Sequence, residues 1–480
     1  MTSQRYHAGN YPLHRTAAGR RYNKGARCNN CYLRPLHHHT YFLTLFQHSA
    51  TLILYHIVCL PERCLASNFG LTARLASMPG RSLIHMMDYN HSMISWSATR
   101  RADILMLHVG VMLNPATYRG IPAMRTRYES IANYEDAGLS YELIPCFLRL
   151  EDIHIATGTC RAFVKHGNEY RQMTLPLPPV IHNRTLYRQN ENARDINKLV
   201  QKGYYIFNEQ NRFPKDHIHA ILQEDPLLRI HLPKTLQGNL SSIHTLMEET
   251  GDVVIKPSSG SVGRGIMRLR HSRGGWTLQC AHPSIPERWS TLRLHVGELP
   301  LFLHKRLLHV PHIVQETIPL ALYNNRPFDI RVTVQRGYGG IWGVTGMFAK
   351  IAPSHTFVSN VAQGGTARSL LEVLSQTETV QTSNAVRLMN ELERLSLQIV
   401  HRLAQTLPRL ADVGLDLGIT REGKIVFIEC NGRDQRYGFS QAGMHNVWKE
   451  TYTQPMAYAR WLLERMPSSD TERSPGRPLY

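Results

Sequence analysis

Residues 411–434 read ADVGLDLGITREGKIVFIECNGRD. Two short apolar runs flank the turn Thr420-Arg421-Glu422-Gly423, with Asp416 at the end of the first run and Glu429 and Asn431 at the end of the second. Paired as a hairpin, the runs set Asp416 opposite Glu429, and residues 429 and 431, two apart, share a face. Three oxygen-bearing side chains then converge on one point. Such a set suits Mg²⁺, with Mn²⁺ as the alternative, because a hard cation takes a few carboxylate or amide oxygens and leaves its other positions to water and phosphate. Taken alone, the triplet also reads as a hairpin with polar ends.

A second stretch, GDVVIKPSSGSVGRGIMRLR at 251–270, strengthens the metal reading. Val253-Val254-Ile255 is a buried-strand signal that ends at Lys256. A glycine-rich loop follows, and Ile266-Met-Arg-Leu starts a second strand. Strand, glycine-rich loop and strand suit the covering of a polyphosphate. Gly260, Gly263 and Gly265 let backbone N–H groups approach, and Ser258, Ser259 and Ser261 add hydroxyl donors. Lys256 supplies a point charge for a phosphate oxygen; it also reads as a solvated strand end. The loop is not a Walker A loop, since no Gly-Lys-Ser/Thr closes it. It is not a Rossmann turn either, since a strand follows it.

These motifs resemble the ATP-grasp superfamily and, within it, the YheC/YheD family of endospore coat-associated proteins. The likeness runs from about residue 100 to 465. It rests on VVIKPSSGSVGRGI, HIVQETIPL at 312–320, RPFDIRVTVQ at 326–335, WGVTGMFAKIAPSHTFVSNVAQGG at 342–365 and GLDLGITREGKIVFIECNGRDQRYGFSQAG at 414–443. The resemblance implies an ATP-grasp fold of mixed α/β and α+β class: two α+β subdomains clamp ATP, and a small α/β domain precedes them. Lys256 and Lys215 match lysines that reach the nucleotide. Gln315, Glu316 and Ile318 match the hinge that reads adenine. Arg331 and Lys350 match basic residues near the transferred phosphoryl group, and Lys350 stands where many relatives carry arginine. Asn360 and Gly364-Gly365 match a loop over the site, and Asp416, Glu429 and Asn431 match the Mg²⁺ ligands. The usual Glu-Val-Asn is Glu-Cys-Asn here, with Cys430 expected to point into the core. Arg433, Asp434 and Arg436 are candidates for gripping an acceptor carboxylate. Arg331 also reads as the partner of a structural carboxylate such as Asp329, and Asn360 as an ordinary turn residue.

The chemistry implied is transfer of the ATP γ-phosphoryl group to a carboxylate, followed by attack of an amine or thiol on the acylphosphate. Phosphoryl transfer needs positioning and charge neutralisation more than a protein nucleophile. The chain fits, since it carries neither a G-x-S-x-G elbow nor an H-E-x-x-H motif. The family implies an endospore coat role, with spore coat proteins among the partners. A rival is a non-enzymatic coat component that keeps the nucleotide-binding fold.

The chain has 480 residues, 42% of them hydrophobic, and a formal net charge of +19. Length predicts two to four domains. The charge invites a nucleic-acid reading, which predicts salt-sensitive DNA binding indifferent to ATP. No basic cluster interleaved with aromatics stands out, so no nucleic-acid partner is expected. Residues 1–90 hold ten basic residues against Glu62 and Asp88, a net +8 of that total. They show no sustained period, and residues 1–92 read as a disordered leader from an over-extended start, with the true start near Met86, Met87 or Met93. Cys28-x-x-Cys31, His37–His39 and Cys59-x4-Cys64 leave a zinc site open on spacing. Residues 41–60 are too polar for a membrane span. Residues 93–200 read as the small α/β domain, 201–466 as the ATP-grasp domain and 467–480 as a disordered tail. Dispersed Cys146, Cys160, Cys280 and Cys430 predict reduced thiols and a cytoplasmic location, to which the resemblance adds association with the spore coat.

Overall fold

Val253–Ile255 is a continuous apolar run, Ile330–Val334 and Val413–Leu417 place an apolar residue at every second position, and all three lie buried in interior strands of their sheets. The computed structural model describes residues 106–186, 192–260, 263–282, 289–354, 356–377, 384–407 and 409–466, together with the backbone of 31–36, 40–45, 54–60 and 63–68. Residues 1–99 and 100–480 form separate units. In the first, β1 (Cys31–Leu36), β2 (Thr40–Leu45), β3 (Leu54–Leu60) and β4 (Arg63–Asn68) pair antiparallel in chain order. The sequence showed no strand period there. Cys28, His37–His39, the proposed starts and the tail from 467 lie outside the described residues.

The second unit begins with a sheet ordered β11-β10-β5-β6-β8-β7, with β9 added to β8. Its strands are β5 (Leu107–Met112), β6 (Leu143–Leu148), β7 (Ile153–His154), β8 (Thr159–His166), β9 (Glu169–Pro176), β10 (Val180–Asn183) and β11 (Tyr205–Phe207). β11, β10, β5 and β6 run parallel, and β5 takes up the second half of 101–112, a stretch that reads as a buried strand in the sequence. Tyr118 to Ala137 mixes polar and apolar residues as one helix would, but the segment is broken. Helices Pro115–Gly120 and Ile131–Ser140 are separated by a segment in which Met124 and Arg127 have positive φ. The β8–β9 hairpin was not read from the sequence. Its alternation is weak because β9 is exposed along most of its length.

Two antiparallel sheets follow. The first has the order β12-β17-β13-β14-β15-β16, made of Thr235–Gln237, His312–Glu316, Asp252–Pro257, Met267–Ser272, Gly275–Ala281 and Trp289–Leu294. The second has the order β21-β20-β19-β22-β23, made of Thr366–Ser369, Trp342–Ile351, Arg326–Arg336, Asp412–Ile419 and Ile425–Asn431. The helix Ala385–Thr406 buries Leu388, Leu392, Leu395, Ile399 and Leu403 against this sheet, with Met389 half-buried beside them. Leu388, Met389, Leu392, Leu395, Ile399 and Leu403 recur at helical spacing in the sequence, which reads as core packing. Among the described residues no helix is long and apolar enough to cross a membrane.

Candidate functional site

β22 and β23 close through the turn predicted from Thr420-Arg-Glu-Gly423, where Gly423 adopts φ +81° and its N–H bonds Thr420 O at 2.9 Å. From Ile419↔Ile425 the register runs regularly to Leu417↔Phe427, then shifts, and Asp416 pairs with Glu429. Ile428 is the extra residue of a β-bulge. Without it Asp416 would oppose Ile428, and Glu429 would fall on the other face. With it Asp416, Glu429 and Asn431 share a face, while Cys430 joins the hydrophobic core, as expected.

A cleft of about 570 Å³ lies between the two antiparallel sheets. Lys256, Gly263, Gln315, Glu316, Ile318, Lys350, Asn360, Asp416 and Glu429 all line it. Lys256, at the end of β13, is buried and donates to Gln315 Oε1 at 2.6 Å. Gln315 in turn donates to Thr235 Oγ1 at 2.8 Å. Burial pulls the Lys256 ammonium down to about 8, and the nearby Glu429 carboxylate offsets only part of that. A lysine so poorly solvated gains from an anionic ligand.

Lys215 begins the helix Lys215–Gln223, where its N–H bonds Ser258 O at 2.9 Å. Its ammonium donates to Glu429 Oε1 at 3.1 Å and to Gly260 O at 3.3 Å, which ties the glycine-rich loop to the metal motif. Ser258 N–H bonds Pro311 O at 2.9 Å, so the first loop amide is already used. Ser259 has partners of its own, and Ser261 lies outside the described residues. Gly263 and Gly265 adopt positive φ, and a Cβ at Gly265 would collide with Arg306. On the hinge, Glu316 N–H bonds Lys234 O at 3.0 Å and Thr317 N–H bonds Asp252 O at 2.9 Å. Asn360 accepts from Ala362 N at 3.0 Å and caps a short helical turn, in keeping with its turn reading.

The acidic face is saturated with cations. Arg331, opposite Asp416 in register, donates to its carboxylate at 2.7 and 3.2 Å and to Asp434 Oδ1 at 2.8 Å. Lys350 sits between Asp416 Oδ1 at 3.0 Å and Asp329 Oδ1 at 3.1 Å. Asn431 donates to Asp416 Oδ2 at 3.3 Å. Burial by itself raises the Asp416 carboxyl, but Arg331 and Lys350 outweigh it and hold it down at about 2. Burial raises Asp329, which Lys350 only partly relieves. Asp329 was read as a partner for Arg331; it pairs with Lys350 and accepts from Ser359 at 2.7 Å. The alternation in Asp329-Ile-Arg331-Val-Thr333, all one face, was the signal for its place in the site.

Asp434 and Arg436 do not grip an acceptor. Both are buried, at 0% and 1% exposure, and bound internally. Asp434 holds Arg331 and Thr333, and Arg436 holds Asp412. Asp412 also accepts from His182 at 3.1 Å and Arg184 at 3.4 Å, which lashes the first sheet of this unit to β22. Of the three candidates, Arg433 is the one that remains partly open, 3.6 Å from Glu129. Sequence reasoning missed this network because its members are scattered over 129–436.

The donor set suits a hard divalent cation: two carboxylates and one amide, with Asp416 and Glu429 lining the cleft. Among the described residues there is no group of three or more His, Cys, Asp or Glu side chains that could hold a metal ion. Any cation here therefore needs Asn431 or ligand oxygens.

A sequence profile described as YheC/D like ATP-grasp matches residues 203–462, more than half of the chain. The chain belongs to this family. Membership implies ATP binding. Two curated relatives, both from Bacillus subtilis (strain 168), are similar along most of their length. Endospore coat-associated protein YheD is 25% identical over 387 residues, covering 76% of this chain and 82% of the relative. Endospore coat-associated protein YheC is 20% identical over 353 residues, covering 72% and 95%. Among solved structures, D-alanyl-alanine synthetase A from Vibrio cholerae aligns with TM-score 0.43 and 14% identity, over 74% of this chain and 99% of that one. The ATP-grasp ligase PsnB, complexed with a minimal precursor, aligns with TM-score 0.41 and 13% identity, over 72% and 100%. Both scores are low, and the fold assignment rests on the family match.

Proposed function

We propose that the chain is an Mg²⁺-dependent ATP-grasp ligase that joins a carboxylate to an amine or thiol. The observation that carries this reading is the convergence of Lys256, Lys350, Asp416 and Glu429 in one cleft beside the hinge strand β17, with Lys215 bound to Glu429. Glu429, Asn431 and Asp416 would hold the ion, which supplies neutralisation of the β- and γ-phosphate charge. Lys256 and Lys215 bind phosphate oxygens, and Lys215 is released from Glu429 to do so. Gln315, Glu316 and Ile318 hold the adenine end, and the loop from Ser259 to Gly265 covers the phosphates. Arg331, clamped by Asp416 and Asp434, acts mainly by holding Asp416 in place, and Lys350 is the nearer cation for the transferred group.

In the first step an acceptor carboxylate oxygen forms a bond to the γ-phosphorus as the bond to the β–γ bridging oxygen breaks. ADP and an acylphosphate result. In the second step an amine or thiol attacks the acyl carbon, phosphate leaves, and the nucleophile gives up a proton. Arg433, partly open beside Glu129, is the candidate left for an acceptor carboxylate.

The names of the B. subtilis relatives support a place in the endospore coat, with coat proteins as partners. The second reading is a coat component that binds nucleotide without turnover; the engagement of Asp416 by Arg331, Lys350 and Asn431, which leaves its carboxylate little free for an ion, favours it. Calorimetric titration of Mg²⁺-ATP into the full chain, beside Glu429→Gln, tests the proposal. Binding that needs both the ion and Glu429 is expected, followed by ADP release in a screen of amino acids and coat peptides. A folded wild type that binds no nucleotide sinks both readings of the cleft, and binding without any ADP release leaves the coat component.

A further inference from the structure

A second recess, of about 320 Å³, opens where β11, the end of β19, Arg409-Leu410 and the C-terminal helix His445–Leu463 meet. It shares no lining residue with the ATP cleft. Its walls bring three guanidiniums, Arg336, Arg409 and Arg465, to three aromatic rings, Tyr205, Tyr458 and Trp461. The rings are fixed. Tyr458 and Trp461 stack at 5.8 Å, and the Tyr205 and Tyr458 hydroxyls bond at 3.0 Å. Each arginine lies on a ring: Arg465 at 4.2 Å from Trp461, Arg409 at 5.8 Å from Tyr205 and Arg336 at 4.8 Å from Trp342. Laying a guanidinium on an aromatic face removes much of its freedom and leaves its edge N–H groups for a planar anion.

The charge in this recess is not balanced. Arg409 pairs with Glu209 at 2.6 Å. Arg336 donates to the carbonyls of Leu410 at 3.1 Å and Gly340 at 2.8 Å, and Arg465 to that of Trp461 at 3.1 Å. Carbonyls fix these side chains without cancelling their charge. Among the described residues no carboxylate lines the recess. The adjoining Glu464 is already taken by Arg460 at 2.8 Å and by Tyr338 at 2.7 Å. Arg409 also holds a positive φ of 57°, a conformation that costs a non-glycine residue of order 1 kcal/mol. Like charges gathered on a half-enclosed apolar wall repel one another, and a bound anion removes that repulsion.

We propose that this recess binds a small organic dianion, a phosphate monoester or a dicarboxylate, whose acidic head accepts from Arg336 and Arg465 and whose apolar body lies against Tyr458. The volume suits a ligand of that size. The proposal is independent of the ligase reading, because the recess lies five residues, about 17 Å, along β19 from Arg331.

The test is calorimetry on the full chain with phenyl phosphate, benzene-1,2-dicarboxylate and inorganic phosphate. Wild type is compared with Arg465→Ala, Arg465→Glu and, as the control for the ATP cleft, Lys256→Met. One of the two organic probes is expected to bind wild type and Lys256→Met alike, and which one binds tells monoester from dicarboxylate. Removing one charge-assisted contact in Arg465→Ala should weaken it by about tenfold, and Arg465→Glu by more. Inorganic phosphate should bind at least about tenfold more weakly, since it has no body to bury. The proposal is overturned if neither organic probe binds, if binding survives both Arg465 variants unchanged, if it is lost in Lys256→Met, or if inorganic phosphate binds as tightly.

Discussion

Lys256 shows how the site trades stability for function. Its folded value of about 8 lies below the ordinary lysine value of 10.5. The unfolded chain therefore binds more protons between those values, and stability rises with pH across that window. Below pH 8 the cost is complete, up to roughly 3 kcal/mol at pH 7. Lys256→Met should stabilise the free protein by about 1–3 kcal/mol, less than the full amount because Gln315 loses its donor. The same change should weaken ATP by at least about tenfold. Thermal melts with and without nucleotide check both, and a lower melting temperature of the free variant would contradict the burial argument. Glu429→Gln is expected to act in the opposite sense: it removes the carboxylate held by Lys215 and should abolish the Mg²⁺ dependence of any residual nucleotide binding.

Among the elements, the β19–β22–β23 hairpin and its neighbour decide the site. Gly414 on β22 lies under the Asp434 carboxylate: an added Cβ would collide with that carboxylate and come within 3.1 Å of Arg331 Cδ. Gly414→Ala should push Asp434 off Arg331 and cost about 2–3 kcal/mol, since it both overpacks and breaks a buried charge pair. A fall in the urea midpoint at unchanged m-value would verify this. Phosphate-loop residues behave differently. Gly265→Ala would meet Arg306, a flexible side chain, so its larger cost lies in the φ of +76° it must adopt.

At the scale of the molecule, the buried cluster of His182, Arg184, Asp412 and Arg436 holds the first sheet of the unit against the ATP-grasp sheets. Burial lowers His182 to about 4 despite its bond to Asp412, and its ring stacks on Phe207 at 4.5 Å. Its ordinary value is 6.5. Between those values the unfolded chain binds the extra proton, so stability falls as pH drops from 6.5 to 4, by roughly 3 kcal/mol in full. His182→Gln should flatten that part of the stability–pH curve while lowering stability at neutral pH. Denaturant melts at pH 7, 5.5 and 4.5 measure it, and a variant with the same acid slope as wild type would place the effect elsewhere. Mg²⁺-ATP binding to the folded chain alone should stabilise it by about 2.7 kcal/mol at a hundredfold excess over Kd, so the melting temperature should rise with ligand concentration.

The sequence by itself determined the strands that carry the site and which residue types meet phosphate and metal. Apolar runs ending in Lys256, Glu316 and Asp416-type positions, with glycine where φ must be positive, carry that information locally. The helical face of 388–403 was legible for the same reason, since a period of 3.6 lies within one segment. Tertiary structure alone decided the rest. The bulge at Ile428, which turns Glu429 toward Asp416, depends on how β23 pairs with β22 and on Cys430 reaching the core. The saturation of Asp416 by Arg331 and Lys350, the burial of Asp434 and Arg436, and the arginine-lined recess join residues tens to hundreds of positions apart. Charge partners of that kind are chosen by which strands lie side by side, and a single chain read in order carries no local period for them.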